Sequence, residues 1–193
     1  MAEGIAELKA LLQAAKIDEA RALVDRLIET DGADDEVIAA YEGIYLAEGV
    51  RRATQARDRR RAEIRKLPPG ELDYHDPAEV SAAFDASVAC FDRVLQRSPR
   101  NGKAMLLRAG VLHMKDRNRN RTLGLLKEIL TVNPDARDAQ MNLRKVMRPC
   151  AVCGDTGFCM TCHGSGLRRG WLGGESRCGE CAGQGVCRRC TIL

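Results

Sequence analysis

The residues of this chain best suited to chemistry are cysteines, and eight of the nine lie within the last 44 positions. They form four Cys-x-x-Cys pairs: Cys150/Cys153, Cys159/Cys162, Cys178/Cys181 and Cys187/Cys190. A pair at this spacing places two thiolates on the same side of a tight turn, and two such turns that face each other complete a tetrahedral set of four sulfurs. That ligand set suits zinc, so the eight cysteines predict two zinc ions per chain.

The composition of this cysteine-rich tail also points to metal. It holds ten of the eighteen glycines and few apolar residues, so it cannot bury enough apolar surface to fold unaided. Structural zinc supplies roughly 10–16 kcal/mol of apparent binding free energy, which is enough to order such a segment.

Other uses of the cysteines depend on the cellular compartment. Four disulfides would suit a secreted protein, and Cys159-Met-Thr-Cys162-His163 matches the c-type haem attachment signature, which requires export. The first residues show no basic segment followed by an apolar one, and no stretch is long enough to span a membrane. We therefore expect a cytoplasmic zinc protein, with disulfides or iron–sulfur as alternatives. We interpret the haem motif as a chance match, with His163 on the surface.

The glycines that follow the cysteines give a family resemblance. Residues 159–166 and 178–185 both fit Cys-x-x-Cys-x-Gly-x-Gly, which resembles the repeat of the cysteine-rich zinc domain of DnaJ-type chaperones. Glycine at these positions permits positive φ, which lets the backbone turn its amides toward the sulfurs. The first repeat departs from the pattern at Asp155, where the family has its first glycine, and the fourth pair has no following glycines.

The resemblance, which covers only the tail, implies that the repeats pair in a nested order. The outer pairs would form a first zinc site from Cys150, Cys153, Cys187 and Cys190, and the inner pairs a second site from Cys159, Cys162, Cys178 and Cys181. The inner pairing also has support from spacing, because fifteen residues separate Cys162 from Cys178, as in other zinc modules with two such pairs. Pairing of adjacent repeats, with five residues between the pairs, is the alternative.

The J domain of such chaperones carries a His-Pro-Asp tripeptide, and this chain has Tyr74-His75-Asp76-Pro77 instead. The order differs, and we interpret Asp76 as a helix N-cap with Pro77 at the first helical position. Stimulation of a heat-shock ATPase is therefore not implied.

The elements that carry the tail are predicted to be helices. Residues 1–147 are rich in Ala, Leu, Glu, Lys and Arg, with few aromatic residues and no sustained alternation of apolar and polar residues. Apolar periodicity, proline and glycine predict seven helices, at 3–15, 17–30, 34 or 35–66, 77–97, 104–115, 122–132 and 136–147.

Part of this helical region resembles tetratricopeptide repeats. Leu106, Ala109-Gly110, Leu126 and Asn133-Pro134 lie at the spacing of that motif, and Phe91 and Ser98-Pro99 repeat its second half 35 residues earlier. The resemblance implies stacked helical hairpins with a groove for partners, and a generic bundle is the alternative. The predicted fold class is thus mainly α, a tetratricopeptide-like array over 1–147 followed by a glycine-rich two-zinc β-hairpin module over 148–193. We expect His113 and Cys90 to be packing residues.

Charge provides a weaker indication of partners. From Arg144 onward the chain has eight basic and three acidic residues, but two sites of zinc with four thiolates would lower this excess to about +1. The arginine run at 57–61 is interpreted as a solvated helix face rather than a nucleic-acid contact.

Trp171 and Leu172 lie between the inner repeats, where the resemblance implies a projecting hairpin, and they are candidate contacts to a protein partner. Packing of Trp171 on its own hairpin is the alternative. The sequence shows no phosphate-binding loop and no Ser/His/Asp set, so we do not expect an enzyme. The predicted function is a zinc-binding protein adaptor or co-chaperone-like factor. A nucleic-acid-associated zinc protein and, third, a thiol–disulfide factor are the alternatives.

Overall fold

The computed structural model describes residues 2–30, 35–67, 74–170 and 173–189 of the chain. Within these residues the protein is mainly helical, with one small antiparallel sheet of two strands. The elements are α1 (Ala2–Gln13), α2 (Ile17–Thr30), α3 (Asp35–Arg65), α4 (Ala78–Arg97), α5 (Gly102–Asp116), α6 (Arg119–Val132), α7 (Arg137–Val146), β1 (Leu167–Arg169) and β2 (Glu175–Arg177). The seven predicted helices are confirmed, with ends that differ by three residues or fewer.

Local side-chain chemistry sets several of these helix ends. Asn101 caps α5 by accepting a hydrogen bond from the backbone N–H of Ala104, and Asn118 caps α6 by accepting one from Arg121. Arg117, between the two helices, has a φ of 51°, a left-handed conformation that ends α5. These caps keep the turn between α5 and α6 short, and that turn faces the cysteine-rich tail.

The helices pack mainly against their neighbours in sequence. Three apolar clusters follow one another along the chain: the first joins α1 through α5, the second α3 through α5, and the third α5 through α7. The crossing of α3 and α4 is especially close, because a Cβ on Gly49 would overlap the ring of Phe91, and the Ser87 hydroxyl donates to the Gly49 carbonyl at 2.7 Å. His113 and Cys90 are buried within these helices, as predicted. No helix in the described part of the chain combines the length and apolar character that crossing a bilayer requires.

The prediction that Asp76 caps a helix whose first residue is Pro77 is wrong. Pro77 occupies the N-cap of α4. The Asp76 carboxylate instead accepts a hydrogen bond of 2.7 Å from Nε of Arg60 and forms an ion pair with Nη2 of the same arginine. Arg60 also donates to the Met114 carbonyl at 2.7 Å and lies 4.5 Å above the Phe84 ring. Arg60 lies on α3, and its guanidinium contacts Asp76 just before α4, Phe84 on α4 and the Met114 carbonyl on α5. Only the tertiary fold brings these groups together.

Replacement of Asp76 by asparagine is therefore expected to lower the free energy of unfolding by about 3 kcal/mol, because the change leaves a buried guanidinium without its counter-charge. Urea denaturation followed by circular dichroism measures this. Asp85→Asn is the matched control, since Asp85 pairs with Lys115 between helices but is 58% exposed, and its loss should cost no more than about 1 kcal/mol. Equal losses in the two variants would contradict the role of burial.

The cysteine-rich tail lies against the helices through the arginines of α3. Arg61 donates to the Gly183 carbonyl at 2.7 Å, and Arg65 donates to the Ser165 carbonyl at 3.0 Å. The interpretation of the run at 57–61 as a solvated face is thus wrong for Arg60 and Arg61, because both side chains are largely covered. The division into domains 1–147 and 148–193 stays a prediction; α7 ends at Val146, near that boundary.

Candidate metal centre

The structure brings together the four inner cysteines. Their sulfurs all lie within 4.8 Å of one another, and each residue is no more than 6% exposed. Two of the separations are 3.9 Å, between Cys159 and Cys178, and 3.7 Å, between Cys162 and Cys181. A tetrahedral ion with metal–sulfur bonds of about 2.3 Å requires sulfurs about 3.8 Å apart, whereas a disulfide requires about 2.05 Å. The inner group therefore has the size of a four-sulfur metal site.

Three of the four predicted outer ligands also lie together. The sulfurs of Cys150, Cys153 and Cys187 are within 4.8 Å of one another, with 3.8 Å between Cys150 and Cys187. Cys150 is only half-buried, so this group is more open than the inner one. The fourth predicted ligand, Cys190, lies outside the described residues. The two groups follow the nested order, since first-repeat cysteines join the fourth and second-repeat cysteines join the third.

The glycines of the inner repeats turn the backbone toward sulfur, as predicted. Gly164, Gly166, Gly183 and Gly185 all have φ between 72° and 90°, a range that L side chains rarely adopt. The backbone N–H of Gly166 donates to Cys162 Sγ and that of Gly185 donates to Cys181 Sγ, both at 3.3 Å. Such bonds favour the thiolate form, because the donor dipoles stabilise negative charge on sulfur.

The two inner repeats also hold each other in a reciprocal arrangement. The N–H of Cys159 donates to the Gly185 carbonyl and the N–H of Cys178 donates to the Gly166 carbonyl, both at 3.0 Å. A side chain at Gly166 or Gly185 would overlap a carbonyl of the opposite repeat. These glycines are therefore needed for close approach as well as for their backbone angles. The outer repeats share one such bond, from Cys187 to the Gly157 carbonyl at 2.8 Å.

Asp155 explains how the first repeat departs from the glycine pattern. It has a φ of 68°, and aspartate tolerates this left-handed conformation better than most residues. Its carboxylate accepts a hydrogen bond of 2.7 Å from the N–H of Cys150 and lies 3.4 Å from the guanidinium of Arg119 on α6. Asp155 thus closes the first turn and links it to the helices, a function that a glycine could not provide.

Burial opposes the ionisation of two of the inner thiols, Cys162 and Cys181. Burial raises the pKa of the Cys162 thiol to about 12, although the N–H of Gly166 acts in the opposite direction. Burial also raises the pKa of the Cys181 thiol. At neutral pH these thiols stay protonated unless a cation displaces the protons, as happens when thiolate ligands bind metal. The inner site is therefore suited to a soft divalent cation that binds sulfur strongly.

The remaining predicted residues fall outside the metal groups. Trp171 and Leu172 lie outside the described residues. On either side of them, β1 pairs with β2 in a short antiparallel hairpin whose register places Leu167 opposite Arg177. His163 is exposed, as expected, and belongs to neither metal group.

Contacts with the helices were not anticipated from the sequence. Phe158 packs edge-on against Tyr74 with 6.1 Å between ring centroids, and a Cβ on Gly164 would lie 3.0 Å from Ile64 on α3. The backbone of Phe158 also forms an isolated antiparallel β-bridge with that of Val186. The apolar residue that directly precedes Cys159 was the sequence feature that could have indicated this contact. These contacts hold the cysteine turns against α3 and against the segment that precedes α4.

Comparison with protein-family models, with curated proteins and with solved structures finds no match. The resemblances to DnaJ-type zinc domains and to tetratricopeptide repeats therefore rest on the motif residues.

Proposed function

We propose that this chain is a zinc-binding adaptor for protein–protein interactions, similar to a co-chaperone, with two zinc ions per chain. The observation that carries the proposal is the inner group of four buried sulfurs at separations near those of a tetrahedral site. Four protein ligands leave no open coordination position, which is the pattern of structural zinc rather than catalytic zinc. The role of the ions is therefore to stabilise a surface that contacts a protein partner, not to carry out a reaction.

Two surfaces would engage partners. The helices pack on their sequence neighbours, as in repeat arrays whose stacked hairpins expose a groove, and the tetratricopeptide-like motif supports this arrangement. Trp171 and Leu172 lie in the sequence between β1 and β2, where the family resemblance implies a projecting hairpin tip. An aromatic residue beside an aliphatic one suits recognition of apolar segments in a client protein.

Metal content and partner capture test the proposal together. Elemental analysis of the full chain is expected to give two zinc ions, and immobilised protein should retain a partner at moderate salt. Trp171→Ala should weaken capture at least about tenfold, the effect of losing a central aromatic contact, while the zinc content stays at two. Iron in place of zinc, or unchanged capture by Trp171→Ala, would contradict the metal assignment or the hairpin assignment respectively.

A nucleic-acid-associated zinc protein is the second candidate. The exposed arginines Arg168, Arg169 and Arg177 on the hairpin and Arg188 and Arg189 in the last repeat favour it. Retention of RNA or DNA that falls steeply with salt would support this function. Reversible loss of zinc on mild oxidation would instead support a thiol–disulfide factor.

A further inference from the structure

A cavity of about 210 Å³ lies between the helices and the cysteine-rich tail. Its apolar wall comes from α3, α4 and α5 through Ala53, Phe91, Leu107 and Val111, and from the tail through Val186. Cavities of about 150 Å³ lined by apolar side chains can bind a molecule the size of benzene. This cavity can therefore accept one phenyl or leucyl group, and neither the metal sites nor the hairpin uses it.

Positive charge lines the same cavity. Arg57 and Arg117 both contribute to its lining, and Nε of Arg57 is buried with no hydrogen-bond partner in the described structure. Burial, followed by the nearby charge of Arg61, lowers the pKa of the Arg57 guanidinium. Burial also lowers the pKa of His113, another lining residue, to about 4, so the histidine is neutral at physiological pH. A carboxylate beside Arg57 would offset the cost of holding a partly desolvated cation.

We propose that this cavity binds one large apolar side chain of a partner peptide, with an adjacent carboxylate of the same peptide on Arg57. The proposal rests on the proposed adaptor function and names the chemistry of one partner. The lining favours a peptide because two α3 residues, Val50 and Thr54, line the cavity and are also exposed to solvent. They provide a surface along which a backbone can lie while one side chain enters.

Occupancy of the cavity depends on metal in the neighbouring turns. Val186 directly precedes the outer ligand Cys187, and it is fixed by its bridge to Phe158. When the turns lose their ions, the wall formed by Val186 is no longer held in position. Peptide affinity is therefore expected to fall when the metal is removed, although the cavity holds no metal ligand.

Fluorescence anisotropy with a labelled heptapeptide, GSEFESG, and the metal-loaded full chain tests the proposal. We expect saturable binding that weakens at least about tenfold when the peptide phenylalanine becomes alanine or both glutamates become glutamine. Absence of saturable binding up to about 1 mM peptide would overturn the proposal. Displacement of the peptide by decanoate at equal or lower concentration would assign the cavity to a small amphiphile and would also overturn it.

Matched variants on α3 locate the binding. Arg57→Gln is expected to weaken the peptide about tenfold, whereas Arg59→Gln, at an exposed position outside the cavity, should leave it within about twofold. Thr54→Trp should block the cavity and abolish binding, whereas Gln55→Trp, which adds the same bulk on an exposed neighbouring position, should not. Equal effects within either pair would overturn the assignment.

The outcome can be separated from that of the proposed function. Zinc content and partner capture are measured on the same preparations. Two zinc ions and intact capture without peptide binding would overturn the cavity assignment alone, while loss of zinc or capture would count against the adaptor function.

Discussion

A Cys181→Ser variant is expected to hold one metal ion per chain instead of two and to lose the ordered structure of the inner repeats. A structural zinc site contributes roughly 10–16 kcal/mol of apparent binding free energy, which a glycine-rich segment cannot replace by apolar burial. The helices should keep most of their circular dichroism signal, because their three apolar clusters contain no metal ligand. Elemental analysis combined with far-ultraviolet circular dichroism measures both effects.

Cys90→Ser is the matched control for this variant. Cys90 is buried on α4 and its thiol donates to the Ala86 carbonyl at 3.4 Å, but it belongs to neither metal group. The serine variant should retain two ions. Two ions bound to Cys181→Ser as well would contradict the inner ligand set.

Loss of the inner site should also expose α3 to protease. Arg61 and Arg65 donate to carbonyls of the two inner repeats, and those carbonyls keep their positions only while the turns are ordered. Trypsin is therefore expected to cleave after these arginines faster in Cys181→Ser than in Cys90→Ser, because cleavage tracks the population of the open form. Equal cleavage rates would show that the helices do not depend on the metal-bound turns.

Gly185→Ala is expected to weaken metal binding at the inner site at least about a hundredfold. A methyl group there would overlap the Gly164 carbonyl, and alanine at a φ of 72° adds about 1–2 kcal/mol of backbone strain. The substitution also displaces the N–H that donates to Cys181 Sγ. Competition with a chromogenic chelator measures the affinity, with about 1.4 kcal/mol for each tenfold change.

Gly179→Ala in the same repeat is the control. No atom lies within 4 Å of the added methyl group, and Gly179 does not have a positive φ. Its effect should stay within about 0.5 kcal/mol. A comparable loss of affinity in the two variants would mean that glycine content, rather than the close approach of the two repeats, determines stability.

Much of the helical fold could be predicted because its determinants are local. The apolar period predicts α2 at residues 17–30, where it is found. The nested order of the cysteine groups was implied by the repeat pattern, and spacing supported the inner group. Helix ends shift by a few residues where a cap decides them, as with Asn118, which begins α6 three residues before the prediction.

Contacts between distant parts of the chain could not be predicted in the same way. Asp76 looked like a helix cap because a proline follows it, but Arg60 competes for its carboxylate. Whether Asp76 caps the helix or pairs with Arg60 depends on where α3 places its arginines, and no local pattern contains that information. The contact from Arg61 to Gly183 spans 122 positions and depends on how the turns lie against the helix.

The nested order of the two metal groups has a consequence for how the tail assembles. In the unfolded chain, closing the outer group brings together Cys153 and Cys187, with the whole inner segment between them, and loop-closure entropy opposes this more than it opposes the shorter inner closure. After the inner ion binds, only five residues separate each inner pair from its outer neighbour. We therefore expect an ion at the inner group to act as a folding nucleus that shortens the remaining search, so that the outer group closes around residues that are already confined.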